Sequence, residues 1–260
     1  MTVIENQVFD KPCYDNGDVI RCFGNPGDYF VIKNCVFNFL SYDVDALDEL
    51  VSCVNGADVH IENCIFLGGP KAVMAGNGEY PIADSTHGSL VMENCFIGWS
   101  GRRCPEVKHG VKATMRNCWI HDWGMYFDTR AFGAWACDGS TIVAEHCLFT
   151  RTLDSSFSFF LSWKDRFNHL GFAINRNGIG ELFRPRNWRS GLNRALTAWD
   201  TGTVYASKCY CNSDDIIIEN CNEYLTKNQA MVIVEHLNNL CPNPQPYIDD
   251  TLLGLWDSLF

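Results

Sequence analysis

The residues between 151 and 195 form a basic segment in an otherwise acidic chain. The whole protein carries a net charge of −11, but this segment holds eight basic and three acidic residues, so its own charge is +5 and that of the remaining chain is −16. Arginine presents a planar fork that binds carboxylates through two parallel hydrogen bonds. The segment therefore predicts a site for an anionic ligand, focused by local positive charge. A solvent-exposed loop with scattered arginines is the alternative interpretation.

A second group of polar and aromatic side chains precedes the basic segment. His121, Asp122, Trp123 and Gly124 are consecutive, and the indole of Trp123 could offer a flat platform to a sugar ring. A β-turn with an aromatic cover explains the same four residues. The chain contains no Gly-rich phosphate loop, zinc-binding motif or serine nucleophile elbow.

The 14 cysteines indicate what positions these side chains. They form no CxxC pair, which argues against a zinc site. Half of them instead mark a recurring pattern of an apolar residue, a charged residue, asparagine, cysteine and then apolar residues. The copies lie at residues 4–9, 32–37, 61–66, 92–97, 115–120, 144–149 and 218–221, with degenerate copies at 174–177 and 206–209.

The spacing of the copies, 23 to 32 residues, indicates a repeat architecture. Apolar residues two apart before each asparagine are typical of a half-buried strand. Asparagine tolerates the left-handed conformation of a tight corner, and cysteine then starts a new strand. We therefore expect stacked coils with a ladder of corner residues, Asn6, Asn34, Asn63, Asn94, Asn117 and Asn220, in which His146 takes the corner of one coil. The next position predicts an interior column of reduced thiols, Cys35, Cys64, Cys95, Cys118 and Cys147.

The predicted fold is all-β: a right-handed parallel β-helix, or solenoid, of about seven to nine coils with a short helical C-terminal cover. We place the β-helix domain at residues 1–223 and a helical cap or tail at residues 224–260. Residues 228–240 predict an amphipathic helix, and residues 249–260 predict a short helix or tail. Their expected role is to cover an open end of the stack or to bind a neighbouring chain.

Loops of variable length on a rigid stack are where binding sites concentrate. The candidate loops are residues 68–71, 76–78, 101–105 and 151–170.

The repeats resemble those of the pectin lyase-like superfamily, right-handed β-helices that act mostly on polysaccharides. A narrower resemblance is to the arginine segment of pectate lyases. It rests on residues 172–177 and on the stretch from Phe183 to Gly191, where Arg184 and Arg189 keep that family's five-residue separation. Pro185 lies one place earlier than in the family pattern.

The resemblance implies β-elimination on a uronate-containing polysaccharide. Arg184 matches the proton acceptor and Arg189 the residue that binds the uronate carboxylate, because an enolate-like intermediate needs cations around it. Lys164 is the third candidate catalytic residue. The expected substrate-binding residues are Arg176, Arg186, Trp123 and Arg130. Calcium is the implied cofactor, and its candidate oxygen ligands are Asp122, Asp128, Asp138 and Glu145; these do not reproduce the family's acidic spacing, and solvated turn residues are the alternative.

Two other functions stay open at this point. One is a non-catalytic carbohydrate-binding β-helix, such as an adhesin or a tail-spike-like virion protein. The other is a polygalacturonase-like hydrolase, for which the aspartate pairs at 214–215 and 249–250 are candidates.

The expected partner is an acidic polysaccharide, and exposed coil ends predict homo-oligomers. The net charge argues against a nucleic-acid partner. Apolar runs are too short for a membrane span, and residues 1–6 predict no signal peptide. An extracellular or virion-associated location is what the resemblance implies.

Overall fold

A computed structural model describes residues 1–40, 46–77, 88–124, 132–151, 194–241 and 252–259. Its strands form three parallel sheets of seven strands each, and each coil of the chain contributes one strand to each sheet in turn. This is a parallel β-helix of seven coils, as the repeat predicted.

The strands have the following bounds. Sheet A contains β1 Thr2–Glu5, β4 Tyr29–Lys33, β7 Asp58–Glu62, β10 Ser89–Glu93, β13 Lys112–Arg116, β16 Thr141–Glu145 and β19 Thr203–Ser207. Sheet B contains β2 Val8–Phe9, β5 Val36–Phe39, β8 Ile65–Gly68, β11 Phe96–Gly98, β14 Trp119–His121, β17 Leu148–Thr150 and β20 Tyr210–Cys211. Sheet C contains β3 Ile20–Phe23, β6 Glu49–Val54, β9 Lys71–Asn77, β12 Glu106–Val107, β15 Ala134–Ala136, β18 Arg194–Ala198 and β21 Ile217–Ile218.

The corner between sheets A and B is the predicted asparagine ladder. Asn63 has a φ of 52°, in the left-handed region that asparagine tolerates. Its side-chain amide donates to Asn34 Oδ1 at 3.2 Å and its oxygen accepts from Asn94 Nδ2 at 3.1 Å. The same bonds link Asn34 to Asn6 and Asn117 to Asn94 at 3.2 Å each. The ladder therefore fixes one edge of five successive coils.

The cysteine column is buried as predicted. Cys35, Cys64, Cys95, Cys118 and Cys147 are all fully buried free thiols. The thiol of Cys64 donates to the carbonyl of Glu62 at 3.2 Å, and the other four make the equivalent bond. The thiols pack with apolar side chains such as Phe37 and Phe66, whose rings stack 4.5 Å apart.

One copy of the repeat does not occupy the position that its pattern predicted. Asn220 is not part of the ladder, because Ile217–Ile218 pairs with β18 in sheet C and Asn220 therefore lies at the corner between sheets C and A. Its amide donates to Val204 O at 3.0 Å. Residues 174–177, one of the two degenerate copies, lie outside the described residues.

Two C-terminal helices, α1 Lys227–Leu240 and α2 Leu252–Ser258, confirm the predicted short helical cover but not its expected place. They pack against the outer face of sheet B, and Trp119 contacts Trp256 at a ring distance of 5.8 Å. The reason is an outward-facing apolar row on that sheet, which must be buried: Val36, Ile65, Phe96, Trp119, Leu148 and Tyr210. Cys241, which ends α1, lies beside Asn94 in the middle of the stack, 3.2 Å from its carbonyl. In the described ranges no helix has the length and apolar character needed to span a bilayer.

Candidate functional site

Long insertions leave the stack at the corner between sheets B and C. β17 ends at Thr150 and β18 begins at Arg194, so most of the basic segment is inserted here. In the preceding coil β14 ends at His121 and β15 begins at Ala134. The corner between sheets A and B, by contrast, has two residues in each coil. Since loops on a rigid scaffold carry function, the neighbouring edge and outer face of sheet C are where a site is expected.

Buried charges are concentrated at this edge of sheet C. We call Asp18, Asp48, Glu49, Lys71, Arg103 and Glu106 the charge cluster. Glu49, Lys71 and Glu106 are the first residues of β6, β9 and β12, and parallel pairing stacks these strands as successive rungs. The cluster therefore combines residues of four coils that are far apart in the sequence.

Arg103 is the centre of the charge cluster. Its guanidinium forms an ion pair with Glu49 and another with Glu106, in which Nε lies 2.6 Å from Oε2. Lys71 forms an ion pair with Asp48 and lies 3.7 Å from Glu49 Oε1. Glu49 and Glu106 are buried. Carboxylates this far from water are tolerated because cations lie directly against them.

Asp18 joins the cluster through the backbone. Its Oδ1 accepts a hydrogen bond from the amide of Glu49 at 3.1 Å, and its Oδ2 accepts one from Asn16 Nδ2 at 2.9 Å. Burial raises the pKa of Asp18, and the Asn16 bond and the charges of Arg21, Lys71 and Arg103 oppose that rise. The Asn16 hydrogen bond and the three cations therefore offset only part of the effect of burial on the pKa of Asp18.

Within the described ranges, Asp18, Asp48 and Glu49 are the only three side chains close enough together to share a metal ion, with ligand atoms within 4.8 Å of one another. Lys71 and Arg103 already neutralise two of the three, so the group does not fit a calcium site.

The predicted calcium ligands are also not brought together. Asp122 follows sheet B, Asp138 lies in the turn between sheets C and A, and Glu145 ends a sheet A strand, so the three occupy different corners. Glu145 forms an ion pair with Arg116 at 3.3 Å, as expected of a solvated surface charge. Asp128 lies outside the described residues.

Beside the charge cluster, the outer face of sheet C carries an aromatic ridge of Phe132, Trp135 and Trp199. Trp135 pairs in register with Glu106 and is separated from the interior core, whereas its neighbours Ala134 and Ala136 belong to that core. Its ring meets Phe132 edge-on at 5.5 Å, and Phe132 lies 5.7 Å from Trp199 at an interplanar angle of 38°. Charged and aromatic side chains thus share one face of the stack.

The His121 group is folded away from solvent. His121 Nδ1 lies 2.9 Å from Thr150 Oγ1, and Nε2 lies 3.3 Å from Asp122 Oδ2. Burial lowers the pKa of His121, which Asp122 only partly opposes. The arrangement resembles an acid, base and hydroxyl relay, but all three side chains are buried. It therefore acts as a structural contact between neighbouring rungs of sheet B.

Trp123 does not suit the sugar platform that the sequence predicted. Its exposed fraction is 0%, and the guanidinium of Arg151 lies over its ring at 5.0 Å. An indole of this size stabilises the core most when fully buried, and this one packs with the interior cluster. The platform prediction for Trp123 is therefore wrong.

The other predicted site residues cannot be placed. The positions concerned, Arg130, Lys164, Arg176, Arg184, Arg186 and Arg189, lie outside the described residues, so their roles stay predictions. The sequence reasoning missed the charge cluster, although two of its loops, residues 68–71 and 101–105, were among the variable loops. The missing signal was pairing between residues one coil apart, which identifies Glu49 and Lys71 as partners and places Lys71 beside Arg102.

Comparison with known proteins supports the fold. No model of a known protein family matches the chain, and no curated protein matches it. Among solved structures, the thermostable pectate lyase PL 47 superposes with a TM-score of 0.50 at 14% sequence identity. The superposition covers 78% of this chain and 44% of the pectate lyase, so the chain spans less than half of that protein's length. The protein is thus a right-handed parallel β-helix with the pectin lyase-like fold.

Proposed function

We propose that this protein binds an acidic, uronate-containing polysaccharide along the outer face of sheet C and cleaves it by β-elimination. The single observation that carries the proposal is the placement of the basic segment. The segment connects β17 to β18 of sheet C, the sheet whose outer face carries the aromatic ridge and at whose edge the cationic side chains of Lys71 and Arg103 lie. Cations bind the carboxylates of such a chain, and aromatic rings pack against the faces of its sugar rings. The pectate lyase neighbour supports the same reaction class.

The reaction needs a base and stabilisation of negative charge. A base removes the proton α to the uronate carboxylate, and that electron pair forms a carbon–carbon double bond as the glycosidic oxygen departs and takes up a proton. The intermediate carries two negative charges, so cations held in a low-dielectric site lower its free energy. In this proposal Arg184 accepts the proton and Arg189 holds the carboxylate, and Lys164 is the third candidate catalytic residue. An arginine base needs cationic neighbours, because its pKa otherwise exceeds about 12.

Calcium has no part in the steps proposed here, because the described carboxylates do not fit a calcium site. The prediction of calcium dependence can be checked by measuring the formation of unsaturated uronate with a chelator and with added calcium. If activity survives a chelator, the reaction does not need calcium. If only added calcium restores the activity, the calcium ligands lie outside the described residues.

The test is the absorbance of unsaturated uronate after incubation with polygalacturonate, alginate, hyaluronan and a neutral glucan. We expect a product from at least one acidic polymer, none from the glucan, and none with Arg184→Ala. Arg189→Lys should weaken binding because lysine lacks the bidentate fork. Arg116→Ala is the matched control, since Arg116 lies on the exposed face of sheet A and pairs with Glu93 at 3.1 Å. Unchanged activity in both arginine variants would overturn the assignment.

A non-catalytic carbohydrate-binding role is the second candidate. It is favoured because the cations of the charge cluster are already paired with carboxylates of the protein. Arg103 already holds two carboxylates, and both of these are buried. Binding of acidic polysaccharide without any cleavage product would support this role. Release of reducing ends without unsaturated uronate would instead indicate a hydrolase.

A further inference from the structure

Trp199 is the exposed end of the aromatic ridge. Its side chain is 48% exposed, whereas Phe132 and Trp135 behind it are buried. One side of the indole thus packs against the Phe132 ring, and about half of the side chain meets solvent. Among the exposed large apolar residues, Tyr205 on sheet A offers a useful contrast: it is 56% exposed and lies on the face opposite the interior, within a strand.

The turn that carries Trp199 holds its backbone in a fixed position, and the Phe132 ring packs against its indole. The Trp199 amide donates to Ala136 O at 2.8 Å, and its carbonyl accepts from Gly202 N at 3.0 Å. Gly139 N donates to Thr201 Oγ1 at 2.9 Å, so this turn is stacked on the turn of the preceding coil. A Cβ at Gly202 would lie 2.1 Å from Ala136 O, which shows how closely the two turns pack. A ring fixed in this way loses little conformational entropy when a ligand packs against it.

The shape of the ridge decides what kind of ligand it fits. A site for an organic cation needs several exposed aromatic faces around the charge, and here only the Trp199 ring is substantially exposed. A single flat apolar face suits a flat apolar partner that stays hydrated at its rim. The C–H face of a pyranose ring has that character, with its hydroxyls pointing into water.

Charges near Trp199 select among sugar rings. Asp200 is exposed beside it, and Asp138 occupies the stacked turn one coil away, about 4.8 Å along the helix. Carboxylates accept hydrogen bonds from sugar hydroxyls but repel a free uronate carboxylate. The cations of the charge cluster, Lys71 and Arg103, lie on another part of the same sheet, in the third and fourth coils.

We propose that Trp199 stacks against an uncharged pyranose ring, either a neutral sugar or an esterified uronate, at one end of the polysaccharide site on sheet C. This rests on the proposed function only for the location of the ligand. In that proposal the basic segment binds free carboxylates, and the Trp199 subsite binds a ring without one. The protein is therefore expected to prefer chains in which charged and uncharged rings both occur.

The test measures binding of oligogalacturonides with and without methyl-esterified carboxylates, and of a neutral oligosaccharide, by calorimetry. With Trp199→Ala we expect the Kd of the esterified ligand to rise about tenfold and that of the fully acidic ligand to change less. Trp199→Phe keeps a flat ring and should stay within about threefold of the parent. Tyr205→Ala is the matched control, and circular dichroism checks that each variant is folded.

Other outcomes overturn the proposal in distinguishable ways. Equal affinity of the parent and Trp199→Ala for every ligand overturns the platform, as does a parent that binds none of them. If Trp199→Ala loses binding to uncharged ligands but the parent never forms unsaturated uronate, the proposal of a stacking site at Trp199 stands and the proposal of lyase activity is overturned. Intrinsic fluorescence gives an independent readout, because part of the ligand-induced change should be absent in Trp199→Phe.

Discussion

Arg103 and Glu49 form an ion pair that spans two rungs of sheet C, and the Glu49 side chain is only 1% exposed. Glu49 begins β6 and Arg103 precedes β12, so the pair crosses the intervening strand β9. The attraction is strong at this depth because little water screens it. The carboxylate depends on its partner, since an isolated buried charge is costly.

Replacing Arg103 by methionine should therefore destabilise the protein. Arg103→Met leaves Glu49 and Glu106 without their shared cation, and we expect the free energy of unfolding to fall by about 3 kcal/mol. Urea-induced unfolding followed by circular dichroism measures the loss. The triple variant with Glu49→Gln and Glu106→Gln should recover part of it, because no unpaired charge then remains in the cluster centre.

Arg116→Met is the control for this measurement. Its guanidinium is half-exposed on sheet A and pairs with Glu93 and Glu145, so its removal should change stability little. Equal losses of unfolding free energy for Arg103→Met and Arg116→Met would show that burial does not make the ion pairs of Arg103 more stabilising than exposed ones.

The asparagine ladder gives a second prediction. Asn63→Gly keeps the left-handed backbone without strain but removes the two hydrogen bonds that the Asn63 side chain makes within the ladder, one donated and one accepted. At about 0.5–1.5 kcal/mol for each bond, we expect a total loss of about 1–3 kcal/mol in unfolding free energy. Asn55→Gly is the matched control, since Asn55 also has a left-handed φ, of 59°, but lies at a different corner. If both glycine variants lose equally, the ladder bonds are not what stabilises the corner.

His121 gives a third prediction, on pH. Burial lowers its pKa, so the unfolded chain binds a proton more readily than the folded one. Stability is then complete above about pH 6.5 and is lost as the pH falls below that value, by at most about 1.4 kcal/mol per pH unit for one group. Thermal unfolding of His121→Gln between pH 5 and 7.5 should show a shallower acid decline than the parent. An unaltered decline in His121→Gln would exclude His121 as its source.

The fold was predictable from the sequence because one local rule repeats. Each corner between sheets A and B needs a residue that tolerates a left-handed φ, followed by a small buried residue. Asn63 and Cys64 meet these two needs. The same rule misplaced Asn220, because a left-handed asparagine also suits the corner between sheets C and A. Pattern alone does not distinguish corners; only strand pairing does.

The candidate site was less predictable because its residues meet only after stacking. Glu49, Lys71 and Arg103 each lie at the junction of a loop and a strand, where a charge normally indicates solvent. Their burial results from neighbours one coil away, which a single stretch of sequence does not reveal. Trp123 and Trp199 show the same limit, since both follow short strands and only one is exposed. The buried Trp123 has Arg151 from the next coil over its ring.

The last prediction concerns the thiols. Burial raises the pKa of Cys22 and of Cys104 to about 12, so these thiols should be unreactive in the native protein. At the C-terminal end of the interior column, a hydrogen bond from Cys209 lowers the pKa of the half-buried Cys221 to about 6. Titration of the native protein with a thiol reagent should therefore label Cys221 and the exposed Cys13 rapidly, and the interior column only after denaturant is added. Mass spectrometry of labelled peptides identifies the sites. Cys221→Ser should remove one fast-reacting group and leave Cys13 fast and the interior column slow, whereas rapid native labelling of Cys64 or Cys95 would contradict the closed interior.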